Sequence, residues 1–509
     1  MPRPCSARSP TQVPSIRSRA LPTPQLRKND LKAGVGFLEL ANACDFAANV
    51  WNEIPVPPQA VALMASGGAV ALFILHYAYV DARLSYRNTR LLLQERRELR
   101  AQLRGTAPED PAVRELQTYL NINFRELGTE LIDRVGMDIL LGFGALLVGI
   151  GTFLAIDGAN PRMYRASNIM TGYLGNVPPS LFGLVNAAWA WYTWRRAQHQ
   201  ARCASSAQLN SVWGERVDVD QMLQRHTHRV RTHSILNGVY GILGGIGSLM
   251  TADCNNNPSL VWAYFVLLPC IVGAVFANYY WRHKIGYDRD LSEREPLSRA
   301  HLLNEVGFAG ENERLLTDFQ RASKAPRPWF HPPPATPNFE PLFAYLTAYQ
   351  TLQIERHRHR QQQGEAVAGE VDDGLAELSR DLTQDAVAVA WAQRICDFAV
   401  ENDLYAALLA QLLANPTIAN TLREIDPGLT AINHDTSWDH PWTNDDTLFK
   451  DPVFVVAFFV AAQEFMCTVG ISHFRNRERN LVELLGIYLH AEVVRGPQSD
   501  HDISMSTLV

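Results

Sequence analysis

Five stretches of the chain are apolar for long enough to cross a membrane as helices, since a bilayer core takes about 20 apolar residues. They lie near residues 58–80, 137–156, 176–194, 234–251 and 260–281. The third contains Pro178 and Pro179, which fit only the first turn of a helix, so we predict that this helix begins near Asn176. The pattern predicts an all-α, polytopic α-helical membrane protein with about five spans and a membrane domain over 58–281.

Helical periodicity continues between the first two spans. Residues 81–134 carry apolar stripes, including Leu92, Leu99 and Leu116, in otherwise charged sequence. We expect a helical hairpin there, which extends the first span out of the membrane. The heptads are not sustained, so the coiled-coil signal is weak.

The segment before the first span, 33–57, places Phe37, Leu38 and Ala41 at helical spacing. This pre-membrane amphipathic segment fits a helix lying on the membrane surface. It fits a short helix packed inside the protein equally well. The periodicity leaves both interpretations open.

Residues 1–32 are rich in Pro, Ser and Arg and predict a disordered, basic N-terminal tail. The arginines resemble a mitochondrial transit peptide, but six prolines between Pro2 and Pro24 would break its amphipathic helix. No apolar stretch follows Met1, so the sequence does not predict a secretory signal peptide.

After the last span, a Pro-rich linker region, 282–340, precedes a predicted helical cytosolic domain over 341–509. The apolar stretch 452–471 is an alternative sixth span. Gln463 and Glu464 lie in its middle, where a charged side chain costs ~2.5 kcal/mol or more at the bilayer centre. We therefore predict a buried core helix of the C-terminal domain there instead.

The charge distribution predicts an orientation. Residues 1–281 carry a net charge of +7 and residues 282–509 a net charge of −13. The short connections carry 22 Lys and Arg residues on one side of the membrane and 2 on the other. Because basic connections face the cytosol, we predict that 81–134 and the C-terminal domain are cytosolic. The N-terminus would then face away from the cytosol.

Aromatic residues followed at once by arginine mark where a span leaves the apolar layer. This pattern occurs at the ends of the third and fifth spans. The predicted membrane-interface residues are Trp191, Trp194, Arg195, Arg196, Trp281 and Arg282. The predicted partners are the lipid bilayer, anionic lipid headgroups and cytosolic proteins, without nucleic acid.

Small and polar residues within the spans predict helix packing. The predicted helix-packing residues are Gly142, Gly149, Gly241 and Gly245, of which the last two have GxxxG spacing. A glycine-lined solute path is the alternative. The sequence also predicts interhelical hydrogen bonds from Asn186, Asn237 and Asn278.

The sequence contains no recognisable catalytic, cofactor-binding or nucleotide-binding motif. No span has Asp, Glu, Lys or Arg in its central half, whereas ion-coupled transporters generally need such groups. Histidines at 226–233 and 357–359 alternate with arginine, which predicts solvated basic segments rather than metal sites. His434, Asp435, Asp439 and His440 match no metal-ligand spacing and predict a loop.

The segment VWNEIPVPPQAVALMASGGAVAL (50–72), with the basic helix and glycine-rich spans after it, resembles a group of uncharacterised integral membrane proteins of filamentous fungi. The resemblance implies topology and a fungal origin, without an activity. We therefore rank three hypotheses. A non-enzymatic scaffold that binds partners or lipid comes first, a channel or facilitator for a neutral or small solute second, and a membrane enzyme third.

Overall fold

The computed structural model of the protein describes most of the chain. The described residues are 26–31, 36–51, 55–107, 110, 112–206, 213, 218–253, 257–291, 294, 296–323, 339–363, 384–425, 449 and 451–494. They are almost entirely helical, so the all-α prediction is confirmed. The chain divides into unit 1 (1–203, 224–297 and 486–509) and unit 2 (204–223 and 298–485).

The described elements are nearly all helices, with two short strands. In chain order they are β1 (Leu26–Arg27), α1 (Leu38–Ala43), α2 (Phe46–Val50), α3 (Pro58–Gly105), α4 (Ala112–Gly128), α5 (Met137–Ala155), α6 (Pro161–Ile169), α7 (Gly175–Ser206), α8 (Val219–Ala252), α9 (Ala263–Tyr280), β2 (Arg289–Asp290), α10 (Arg299–Ser323), α11 (Glu340–Gln362), α12 (Gln384–Glu401), α13 (Tyr405–Ala414), α14 (Pro416–Ile425), α15 (Pro452–Phe465) and α16 (Ile471–Val494). Wider, π-helical turns join α4 to α5 and α15 to α16.

Five described helical stretches are long and apolar enough to cross a membrane, so this is a polytopic α-helical membrane protein. They are Pro58–Gly105, Ala112–Ala155, Val219–Ala252, Ser259–Ile285 and Pro452–Val493. The first four contain the predicted first, second, fourth and fifth spans. The predicted third span lies in α7, which begins one residue before Asn176 but is not among the five. Its Asn, Pro and Trp residues lower its mean hydropathy.

The fifth of these stretches, Pro452–Val493, includes the segment that we predicted to be a core helix. By length and composition it qualifies as a span, although half of its most apolar window is buried within the protein. Phe454, Phe458 and Phe465 are fully buried. The packing therefore fits a core helix, while the apolar composition keeps the sixth span as an alternative.

In unit 1, α3 runs without interruption from the first span into the basic sequence that follows it. After Pro58 it contains no proline, and between Gly68 and Gly105 no glycine, so nothing in this stretch breaks the helix. Helix α4 packs back against it, where Asn123 donates to the Leu92 carbonyl and to the Glu95 carboxylate, each at 2.8 Å. This is the arrangement predicted for 81–134.

Residues on either side of the membrane domain in sequence meet in a short antiparallel sheet. Strand β1 pairs with β2, so that Arg27 lies opposite Arg289. One prediction needs correction here. Residues 26–31 form a strand and a connection rather than part of a disordered tail, and residues 1–25 lie outside the described chain.

Unit 2 has an aromatic core and a buried ion-pair cluster. In this cluster Arg356, Arg360 and Arg477 all reach the fully buried Glu305, at 2.6, 2.7 and 2.9 Å. Burial opposes the charge of Glu305, but the three arginines outweigh it and lower its pKa to about 2. The prediction of a solvated basic segment around 357–359 was therefore wrong for Arg356 and Arg360, which neutralise a carboxylate in the core, while Arg358 is exposed.

Candidate functional site

The segment 36–51 lies inside unit 1 among the helices that carry the spans. Leu38 and Ala41 are fully buried, which selects the packed alternative of the two that the sequence left open. A Cβ built on Gly67 of α3 would lie 2.7 Å from the Cys44 carbonyl oxygen. A Cβ built on Gly36 would lie 2.9 Å from the Val275 Cα in α9. The two glycines thus allow the backbone of this segment to contact the backbones of α3 and α9.

The chain in this segment is a broken helix. Helix α1 ends before Cys44, α2 starts after Asp45, and the Cys44 N–H donates to the Ala41 carbonyl at 3.2 Å. The break places the Asp45 side chain in the interior, where it is fully buried. Broken helices inside membrane proteins are tolerated where protein surrounds them, and they often line binding sites.

Asp45 is the centre of a buried hydrogen-bond network between distant parts of unit 1. One carboxylate oxygen accepts from the Tyr264 hydroxyl at 2.8 Å. The other accepts from the Asn49 side-chain amide at 2.9 Å and from the Asn176 amide at 3.4 Å. The Asn49 amide also donates to the Tyr264 oxygen at 2.7 Å. The network ties the broken helix to α7 and α9.

A cavity of about 80 Å³ lies among the helices of unit 1. It is large enough for several waters, since one water needs roughly 10–15 Å³ on this measure. Its polar lining consists of Glu39, Asp133, Arg134, Asn186, His233, Asn237, Tyr240 and Asn278. Apolar residues from α1, α5, α7, α8 and α9, including Ala274, complete the wall. Ligand pockets are usually larger, at roughly 300–1,000 Å³, so this cavity has room only for a very small ligand.

Two of the asparagines that line the cavity bind one another across α7 and α8. The Asn237 side-chain amide donates to the Asn186 side-chain oxygen at 2.9 Å. The Asn186 amide donates to the Asn237 carbonyl at 3.4 Å. The interhelical hydrogen bonds predicted for these two residues are confirmed. Both remain part of the cavity wall, so packing and ligand contact are compatible roles for them.

One end of the cavity is formed by Asp133 and Arg134, in the wide turn between α4 and α5. The Arg134 guanidinium binds both carboxylate oxygens of Asp81, at 2.8 and 3.1 Å, and reaches Asp30 and Glu130 at 3.0 Å each. This arginine is therefore held by carboxylates on three sides. The positive charge of Arg134 is compensated by carboxylates of the protein itself.

A second buried ion-pair centre lies beside the first. Arg289 reaches Glu95 at 2.8 Å and Glu126 at 2.6 Å, and Arg27 reaches Glu126 and Glu130 at 3.4 Å. Burial of Arg289 disfavours its charged form and lowers its pKa. The negative charges of Glu126 and Glu95 outweigh this effect and hold the pKa of Arg289 well above its usual range. Strands β1 and β2 thus lock the helical hairpin at one end of the membrane domain.

The predicted helix-packing glycines lie at close helix approaches. Built Cβ atoms would lie 3.4 Å from the Ala78 Cβ at Gly142 and 3.0 Å from the Leu72 Cγ at Gly149. They would lie 3.2 Å from the Gly183 oxygen at Gly241 and 3.3 Å from the Ser180 Cα at Gly245. Gly241 also lines the cavity.

The predicted interface residues fall into two groups. Trp191 is 62% exposed and stacks on Trp194, with ring centroids 5.1 Å apart, directly before Arg195 and Arg196. Trp281 instead lines the cavity, where its ring lies 5.2 Å from that of His233. Arg282 is exposed.

The histidines at 226–233 belong to α8 rather than to a loop, and His226 is buried. Within the described part of the chain, no group of three or more His, Cys, Asp or Glu residues is placed to hold a metal ion. His434, Asp435, Asp439 and His440 lie outside it.

Sequence reasoning missed Glu39 and Asp45 because neither lies in a span. The available signal was the pair of acidic residues, one turn and a half apart, in an otherwise apolar segment directly before a span. Together with the asparagines and His233, they give the bundle interior both hydrogen-bond donors and acceptors. Such a site can hold a small polar molecule without a covalent step.

No protein-family model, no curated protein and no solved structure matches this chain.

Proposed function

We propose that this protein is a membrane facilitator that binds a small, hydrogen-bonding solute in the cavity of unit 1. The observation that carries the proposal is the polar wall of this cavity, in which Glu39, Asn186, Asn237 and His233 face one space. A cavity of about 80 Å³ fits a solute of a few non-hydrogen atoms.

The broken helix supports the same proposal. In transporters, discontinuous helices place polar backbone and side-chain groups near the middle of the membrane. Helix α1 brings Glu39 beside Gly244 of α8, since a Cβ built on Gly244 would lie 3.7 Å from a Glu39 carboxylate oxygen. Gly244 lies within the predicted fourth span, so this carboxylate belongs to the interior of the bundle.

This proposal reverses the order of two hypotheses. Partner binding ranked first because the spans carry no ionisable side chain in their central halves, because catalytic motifs are missing, and because the predicted cytosolic part is large. Glu39 and Asp45 reach the bundle interior from a segment outside the predicted spans, so the first of these arguments no longer holds. Binding of cytosolic proteins stays a hypothesis without a specific surface to support it.

The orientation that we propose puts β1, β2 and the hairpin over 81–134 in the cytosol. The excess of Lys and Arg in these connections supports it, and so does the pairing of Arg27 with Arg289 across the sheet. Segment 36–51 then crosses the membrane before α3 does. Helices α1 and α2, with 6 and 5 residues, together rise about 16 Å, so the crossing also needs the residues that flank them.

Labelling with a membrane-impermeant thiol reagent tests this orientation. Lys28→Cys and Asp157→Cys, both at exposed positions, are compared with the unmodified protein in sealed vesicles. We expect the two added cysteines to react from opposite sides of the membrane. Labelling of both from the same side would contradict the proposed crossing by 36–51.

Solute flux into proteoliposomes tests the facilitator itself. The panel consists of water, urea, formamide, glycerol and methylammonium, measured by light scattering after rapid mixing. Ala274→Leu fills the cavity wall, while Val272→Leu, two residues away at a 69% exposed position of α9, is the matched control. We expect at least one solute to enter liposomes that contain the unmodified protein at least tenfold faster than protein-free liposomes. Val272→Leu should keep this faster entry, and Ala274→Leu should lose it. Equal permeability of all four preparations would refute the proposal.

A further inference from the structure

A second pocket of unit 1 lies at the end of α7, away from the cavity described above. Its volume is about 270 Å³. The lining residues are Asn121, Tyr192, Arg195, Arg196, His199, Gln200, Ile487 and His490. Neither the polar cavity nor the buried ion-pair centres use any of them. The pocket therefore needs its own explanation.

The charges of this pocket have one sign. Arg195, Arg196, His199 and His490 supply basic groups, and no Asp or Glu lines the pocket. The rings of His199 and His490 lie edge to face, with centroids 6.3 Å apart. Arg195 and Arg196 carry the positive charge of this pocket, and two like charges on one space favour an anion between them.

The geometry suits a phosphate group in particular. Arg196 donates to the Asn121 carbonyl at 3.0 Å, which holds its guanidinium in place and leaves further N–H donors. Glu492, on the same helix as His490, pairs with Arg114 at 3.9 Å. Arginine presents paired donors that match two oxygens of a phosphate, and imidazole N–H and amide groups add single donors.

The position of the pocket indicates how the phosphate is presented. Trp191 and Trp194 stack in the turn directly before Arg195, and Trp191 is 62% exposed. Tyr192, 37% exposed, lines the pocket itself. Exposed Trp and Tyr next to arginine are typical of the headgroup level of a membrane. We propose that this pocket is a binding site for a phosphate monoester group, such as that of an anionic lipid headgroup.

Binding to the full-length protein in detergent tests the proposal. The probes are short-chain phosphatidic acid, short-chain phosphatidylcholine as the uncharged control, and inorganic phosphate. The variants are Arg195→Gln and His199→Gln, both at exposed positions where folding is not at risk. Arg202→Gln, exposed on the same helix but outside the pocket, is the matched control.

We expect phosphatidic acid to raise the melting temperature of the unmodified protein at least as much as a tenfold higher concentration of phosphatidylcholine does. We expect the same result for Arg202→Gln. We expect Arg195→Gln and His199→Gln to lower the affinity for phosphatidic acid at least fivefold, with unchanged melting temperatures in the absence of ligand. If inorganic phosphate binds with the same affinity as phosphatidic acid, the site is supported and its ligand is a soluble phosphate. Equal response to phosphatidylcholine, or equal affinity in all variants, overturns the proposal.

Discussion

Arg134 binds Asp81 through two parallel hydrogen bonds, of 2.8 and 3.1 Å, between the turn after α4 and the middle of α3. The two side chains are 4% and 0% exposed. Two spans are thereby joined at the level where α3 leaves the apolar layer. The same guanidinium forms one end of the cavity, so the ion pair connects the stability of the membrane domain to the shape of the proposed site.

Removal of one partner of this pair is expected to be costly. Asp81→Ala leaves a buried guanidinium without its two-point partner, and such a change typically costs about 3–5 kcal/mol. We expect a corresponding loss in the free energy of unfolding, measured by urea titration in detergent with tryptophan fluorescence. Arg83→Ala, at an exposed position two residues along α3, is the control and should change stability by less than about 0.5 kcal/mol.

Arg27 is expected to stabilise the membrane domain, although it precedes every span in sequence. Its guanidinium donates to the Tyr287 carbonyl at 2.8 Å and lies 3.4 Å from Glu126 and Glu130. Arg27→Ala would leave these carboxylates undercompensated in the interior. A melting curve in detergent should show a clear decrease for Arg27→Ala and none for Lys28→Ala, whose side chain is exposed. Equal melting temperatures would mean that β1 does not hold the hairpin.

The Glu305 cluster of unit 2 makes stability depend on pH in a defined direction. Its pKa is lowered from 4.5 to about 2, so its stabilising effect is fully present above pH 4.5. That effect decreases as the pH falls from 4.5 towards 2, where the folded form also takes up the proton. At neutral pH the shift corresponds to about 3 kcal/mol.

Glu305→Gln isolates this contribution, because the amide keeps the shape of the side chain without its charge. Unfolding of the full chain should be easier for Glu305→Gln than for the unmodified protein at pH 7, and the difference should shrink as the pH approaches 2. Glu313→Gln is the control, since Glu313 is partly exposed and pairs with Arg475 alone among the ion pairs described. A difference that does not change between pH 7 and pH 3 would contradict the role of the charge.

Close packing of α7 on α8 depends on Gly183. A Cβ built there collides with the backbone oxygen of Gly241, which cannot move without separating the helices. Gly183→Ala should therefore lower the melting temperature. Gly105→Ala is the matched control, because nothing lies within 4 Å of its built Cβ. That change should be neutral or stabilise by about 0.5–1 kcal/mol through the lower entropy of the unfolded chain.

Properties that depend on neighbours in sequence were predictable. The apolar stretches near 58–80 and 137–156 predict helices because a bilayer or a protein core demands the same local composition along one segment. The start of α7 near Asn176 was predictable for a similar reason, since proline acts on the turn in which it lies. The helical hairpin over 81–134 followed from its apolar stripes.

The candidate site was not predictable in the same way. The Asn186–Asn237 pair was expected, but Glu39 and Asp45 were not placed in the bundle, because 33–57 fitted the surface and the interior equally. Trp281 was expected at the membrane interface, and its place in the cavity wall was not foreseen. For these residues the periodicity of apolar positions predicted the helix that carries them. It did not predict which other helix packs against the polar side of that helix.

The local sequence is enough to predict a helical chain, several membrane-spanning helices and the positions of the basic connections. Each of these properties depends on the composition of one segment and on the solvent around it. The contacts of Asp45 with Tyr264, 219 residues away, and of Arg27 with Arg289 follow instead from the fold. A buried charge or hydrogen bond has to be satisfied by whatever the fold brings within about 3 Å. The sequence specifies that partner only through the packing of all the helices between them.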